Sequence, residues 1–102
     1  MQPDDAAQIE QAAFQILATE LTDTDLAATC EMFLQSYISE EIRYGDARRD
    51  GDTESAAAAR AECRRLHGLI IVGRDESDRR HRDAMQNGRE SPWRIVAARY
   101  FG

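Results

Sequence analysis

Cys30, Cys63, His67 and His81 are the side chains of this sequence best suited to hold a metal or attack an electrophile. Cys63 and His67 are four residues apart, so a helix would place them on one face. Cys30 could meet them from a facing helix. That makes three ligands, with no C-x-x-C pair to supply a fourth, whereas a structural zinc site takes four. The simpler role for both cysteines is packing as small hydrophobes in a reducing compartment. A cysteine–histidine couple can also act as nucleophile and base. Neither cysteine lies in a recognisable catalytic signature. Asp78 and His81 have the three-residue spacing used in di-iron bundles, but those need two such motifs and further glutamates. The six glycines are dispersed, and neither G-x-G-x-x-G nor G-K-[ST] occurs. The expectation is a protein that is not an enzyme, with no metal and no cofactor.

Two other groups of residues point to binding. Arg74, Arg79, Arg80, Arg82 and Arg89 form the most basic stretch, and arginine suits phosphate. Asp75, Glu76, Asp78, Asp83 and Glu90 are interleaved with them, so residues 74–90 carry no net charge. Nucleic-acid binding is therefore the second choice. Trp93, Arg94, Arg99, Tyr100 and Phe101 cluster at the C-terminus and belong to the types enriched at binding hot spots. They are the first-choice residues for a partner surface, or else they close the core.

Helices must position these groups. From Thr22 to Tyr44 the apolar residues Leu26, Cys30, Phe33, Leu34, Tyr37, Ile38 and Ile42 recur at steps of three and four, which predicts one broad apolar helix face. Thr22 and Asp23 are its candidate caps, and Gly45 sits where a left-handed cap would end it. Residues 3–20 predict an earlier helix with a stripe of Ile9, Ala13, Ile16, Leu17 and Leu21 and Phe14 at its margin. The short connection to residue 22 makes the two antiparallel neighbours. Residues 45–52, GDARRDGD, read as a loop. A further helix opens at Asp52 or Thr53, with a stripe of Ala58, Ala59, Glu62, Leu66 and Ile70.

Gly68 offers a stop for this helix, which would leave residues 69–72 as a short strand. A glycine inside a helix costs only about 1 kcal/mol, and an isolated strand pair is marginal in water. The favoured reading is one continuous or kinked helix to Asn87-Gly88. Ser91 and Pro92 then open a last short element over 91–102. The fold class is therefore all-α: a single domain of three to four helices, built on an antiparallel hairpin of 22–44 with 53 to about 73. The alternative is α+β, with strands at 69–72 and 94–101.

All 13 basic residues are arginine, the mark of a GC-rich bacterial or phage genome. Residues 1–42 carry nine acids and no base, while 43–102 carry a net charge of +3, within a total of −6. That split suggests complementary packing, or an acidic surface that meets a basic partner. No apolar run approaches the 18 residues of a membrane span, and the N-terminus lacks a signal-peptide pattern. The sequence thus reads as a cytoplasmic protein-interaction module. It would act as a homo-oligomer or with a protein partner, as a regulator, adaptor or acidic inhibitor. The alternative is a nucleic-acid-associated regulator or packaging protein.

Overall fold

A computed structural model describes residues 3–91 and Trp93. Among these the chain is an all-α bundle of three helices: α1 (Pro3–Glu20), α2 (Asp23–Arg49) and α3 (Thr53–Gln86). Residues 69–72 lie within α3, so the strand alternative fails there, and its second strand, 94–101, lies outside the described residues.

The helix ends follow from their side chains. Thr22 caps α2, its hydroxyl accepting from the Asp25 amide at 3.1 Å. Asp52 caps α3 by accepting from the Ser55 amide at 3.0 Å. At the far end of α3, Gly88 takes φ 66° and the Arg89 amide closes on the Ala84 carbonyl at 2.8 Å.

The expected loop at 45–52 shrinks to a tight turn. α2 runs through Gly45 and ends at Arg49. Gly51, with φ 73°, is the left-handed residue, and the Asp52 amide reaches back to the Ala47 carbonyl at 2.9 Å. Ala47 is buried, and Tyr44 packs beside Arg60 of α3. These contacts along the extra turn outweigh the roughly 1 kcal/mol that a helical glycine costs.

α2 and α3 form the antiparallel hairpin: Tyr44 meets Arg60, Tyr37 meets His67, Cys30 meets Gly73 and Asp23 meets Arg80. The shorter α1 runs beside α3 in the same direction. Glu10 pairs with Arg65, Gln11 lies over Gly68, and the Ala18 carbonyl accepts from Arg80. The core is Phe14, Ala18, Leu26, Cys30, Leu69, Val72 and Trp93, with Phe14 and Phe33 edge-to-face at 5.2 Å. Gly73 lets the helices close: a Cβ there would stand 2.6 Å from the Cys30 sulfur. Gly68 and Gly73 thus serve packing and do not interrupt α3.

Two of the expected apolar faces turn out differently. On α1 the margin residue Phe14 points inward with Ala18, while Ile9, Ile16 and Leu17 are 57 %, 68 % and 49 % exposed. The phenyl–phenyl pair, the Glu10–Arg65 bridge and the Arg80 bond to Ala18 set the rotation of α1. Periodicity cannot choose between two apolar sides of one helix. On α2, Leu26 and Cys30 face the core, but Ile38 and Ile42 lie outside.

Candidate functional site

The C-terminal aromatic that the sequence offers to a partner is part of the core. Trp93 is 2 % exposed. Its backbone N–H donates to Ser91 Oγ at 3.2 Å, and its indole N–H donates to Asp23 Oδ1, also at 3.2 Å. The Arg80 guanidinium sits 5.9 Å from the ring centroid. A buried Trp places its N–H on an acceptor, and Asp23, at the start of α2, supplies one. Trp93 is therefore packed inside the bundle. Arg94, Arg99, Tyr100 and Phe101 lie outside the described residues.

Arg80 ties this end of the bundle together. It donates to Glu76 at 2.9 Å, to Asp23 at 2.8 Å, and to the Ala18 and Leu21 carbonyls at 2.8 and 2.6 Å. Those carbonyls end α1, where helical C=O groups lack intrahelical partners. Glu76, itself buried, also accepts two bonds from Arg79. Arg79 first, and Arg80 beside it, hold the Glu76 carboxyl below the ordinary carboxylate range against the opposing effect of burial.

The candidate nucleic-acid row is spent in the same way. Arg79 and Arg80 are bound to Glu76, Arg89 to Asp83 at 2.8 Å, and Arg74 lies 3.7 Å from Asp75. Arg82 is exposed on α3. Interleaved acids thus pair with four of the five arginines, leaving Arg82, a poor arrangement for counterion release from a phosphate backbone.

A different set of side chains forms a cleft on the α2–α3 hairpin. Tyr37, Glu41, Tyr44, Arg60, Cys63, Arg64 and His67 line about 370 Å³. Arg60 donates to the Tyr44 hydroxyl at 3.1 Å. The guanidiniums of Arg60 and Arg48 lie 5.8 and 5.9 Å from the Tyr44 ring centroid. Arg60, then Arg48, pull the Tyr44 phenol below its usual value by stabilising the phenolate. On the other wall His67 is 6.4 Å from the Tyr37 ring, and Glu41 raises the Tyr37 phenol by accepting its hydrogen bond. Burial, then Glu41, Glu40 and Glu62, push the Cys63 thiol up, so it is held as the thiol. That is the wrong direction for a nucleophile.

Sequence reasoning missed Arg48, Arg60 and Arg64 as a group. Their signal was the i,i+4 step from 60 to 64 beside Tyr44 and Arg48, obscured by the assumed loop at 45–52.

The other chemical candidates separate in space. Cys63 and His67 share the cleft, but Cys30 lies against Gly73, ten residues and about 15 Å further along α3. Among the described residues, no three His, Cys, Asp or Glu side chains are placed to hold a metal ion. His81 is half-buried, and its Nδ1 is the buried side-chain polar atom left without a hydrogen-bond partner among the described residues. Among those residues no helix is long and apolar enough to cross a membrane.

The remaining feature is apolar surface. Ile9 and Ile16, seven residues apart, lie on the outward side of α1 with Leu17 beside them, and α2 shows Met32, Ile38 and Ile42 to solvent. Comparison with protein-family models, curated proteins and solved structures finds nothing that matches this chain.

Proposed function

We propose that this protein is a helical interaction module that docks a second copy of itself or an unlike protein on the outward side of α1. The observation that carries this is the exposure of Ile9, Ile16 and Leu17 on a helix whose opposite side is already buried. Fully burying an Ile or Leu contributes about 2 kcal/mol. Half-exposed residues give about 1 kcal/mol each, so three from each of two surfaces give about 6 kcal/mol. Association costs from about 4 to more than 15 kcal/mol in lost freedom. The α1 stripe alone thus supports weak association, and Met32, Ile38 and Ile42 are the reserve that would tighten it.

The acidic first 42 residues favour a basic partner surface, as an adaptor or inhibitor would meet. The arginine-only composition fits a protein of bacterial or phage origin. The nucleic-acid alternative draws on Arg82 and on C-terminal arginines, since Arg79, Arg80 and Arg89 are engaged by carboxylates.

The test is sedimentation velocity across a concentration series, with capture from host lysate before and after nuclease treatment. The expected result is a concentration-dependent oligomer or a nuclease-resistant protein partner, lost in Ile16→Asp. Monomer at every concentration with no protein retained overturns the reading. Capture that disappears after nuclease treatment moves it to the nucleic-acid alternative.

A further inference from the structure

Arg48, Arg60 and Arg64, with the solitary Arg82 further along α3, stand apart from the other described arginines. Arg43, Arg49, Arg65, Arg74, Arg79, Arg80 and Arg89 each lie within ion-pair distance of a carboxylate. Among the described residues no carboxylate pairs with Arg48, Arg60 or Arg64, although the chain has 19 acids for 13 arginines. In a sequence so rich in acids, three unpaired guanidiniums in one place are a local excess.

They also gather around one concave site. Arg60 and Arg64 line the 370 Å³ cleft, one helical turn apart on α3, and Arg48, outside that lining, lies on α2 with its guanidinium 5.9 Å from the centroid of the Tyr44 ring that does line it. Arg60 is held in place by its bond to the Tyr44 hydroxyl and by the ring below it. Tyr37 and His67 form the opposite wall. Glu41 is the one acid lining the cleft, and Tyr37 donates to it. The two lining arginines and one lining glutamate leave an excess of one positive charge, and Arg48 beside Tyr44 adds a second.

We propose that this cleft binds a phosphate monoester, its dianionic head held by Arg48, Arg60 and Arg64 beside Tyr44. A carboxylate is satisfied by one guanidinium fork, whereas a terminal phosphate offers three oxygens and two charges, which three arginines match. The volume lies in the range of small-ligand clefts. A long polyanion fits less well. The cations are gathered in one recess and do not run along a face. Glu40, Glu41 and Asp46 lie along the adjoining part of α2, and the whole chain carries −6.

The experiment is calorimetric titration with inorganic phosphate at constant ionic strength, on wild type, Arg60→Gln, Arg64→Gln and Arg43→Gln. Arg43 lies on the same hairpin but is paired with Glu40, so its variant removes one positive charge without touching the cleft arginines. Far-UV circular dichroism melts confirm that each variant is folded. The expected result is saturable one-to-one binding, weakened about tenfold by each cleft variant, the effect of losing a charge-assisted hydrogen bond, and changed less than twofold in Arg43→Gln. Equal weakening in all three variants overturns the proposal, because a diffuse field would then explain the binding. Failure to saturate below tens of millimolar overturns it as well. A 20-nucleotide single strand that binds through the same arginines while inorganic phosphate does not would assign the cleft to nucleic acid instead.

Discussion

Replacing Gly73 with alanine tests the packing of the whole bundle at one atom. In an exposed helical position the change would stabilise, because alanine is favoured over glycine by about 1 kcal/mol. Gly45 is such a position: it lies inside α2 and a Cβ there meets nothing within 4 Å. At Gly73 the added methyl would stand 2.6 Å from the Cys30 sulfur and 3.8 Å from Phe14 Cε1. Cys30 is buried, and its short side chain has little freedom to retreat. Overpacking of this kind costs about 1–3 kcal/mol, which exceeds the gain in propensity. The expected net effect is a loss of up to about 2 kcal/mol for Gly73→Ala and a gain of up to about 1 kcal/mol for Gly45→Ala. For a domain of about 100 residues these correspond to roughly 4–8 °C in Tm per kcal/mol. Urea unfolding followed at 222 nm measures both. Truncating the sulfur in Cys30→Ala should relieve the clash, so the double variant should be more stable than the two single losses add up to. If Gly73→Ala is as stabilising as Gly45→Ala, the close approach of α2 to α3 at this level is wrong, and with it the register of the hairpin.

Four further outcomes follow from the same contacts. Trp93→Ala should cost about 3–5 kcal/mol, as for a buried Trp, and the fluorescence of this sole tryptophan should shift red on urea unfolding together with the loss of helix signal. Arg80→Met should cost about 3–5 kcal/mol in the same assay, because it breaks a buried ion pair and strips partners from the Ala18 and Leu21 carbonyls. Glu76 has its pKa lowered on folding, so its contribution is present above the ordinary carboxylate range and is lost as the pH falls through the folded value. Acid unfolding between about pH 5 and pH 2 should therefore be shallower in Glu76→Gln than in wild type. His81→Leu should leave stability unchanged or raise it by about 1 kcal/mol in urea titration, since it removes a buried nitrogen with no hydrogen-bond partner.

What was legible in the sequence were the features that act locally. Thr22 and Asp52 cap the helices they were expected to cap, and Asn87-Gly88 ends α3. The weighing of one glycine against an isolated strand correctly favoured a continuous α3 through Gly68 and Gly73. What was not legible was set by contacts between helices. The stretch from Gly45 to Arg49 has the composition of a loop, yet Ala47 and Tyr44 find partners on α3 and the helix continues. Helix α1 is apolar on two sides, and only Phe33, Arg65 and Arg80, all distant in sequence, decide which side is inside. On composition alone Trp93 fits a surface as well as a core. Its acceptor, Asp23, is 70 positions away.

The two ends of the bundle are built for different work. At one end α1, α2, α3 and Trp93 converge on Arg80, and every charged group named there is engaged. At the other end the hairpin turn carries α2 and α3 past the start of α1, with the arginines around Tyr44 paired to no carboxylate among the described residues and Ile38 and Ile42 exposed. A substitution at Arg80 should therefore appear first as a loss of folding, whereas one at Arg60 or Arg64 removes no ion pair and leaves the fold standing. Stability and ligand binding can then be separated by mutation, because Arg80, which holds this fold, and Arg60 and Arg64, left over for a ligand, lie toward opposite ends of the same long helix.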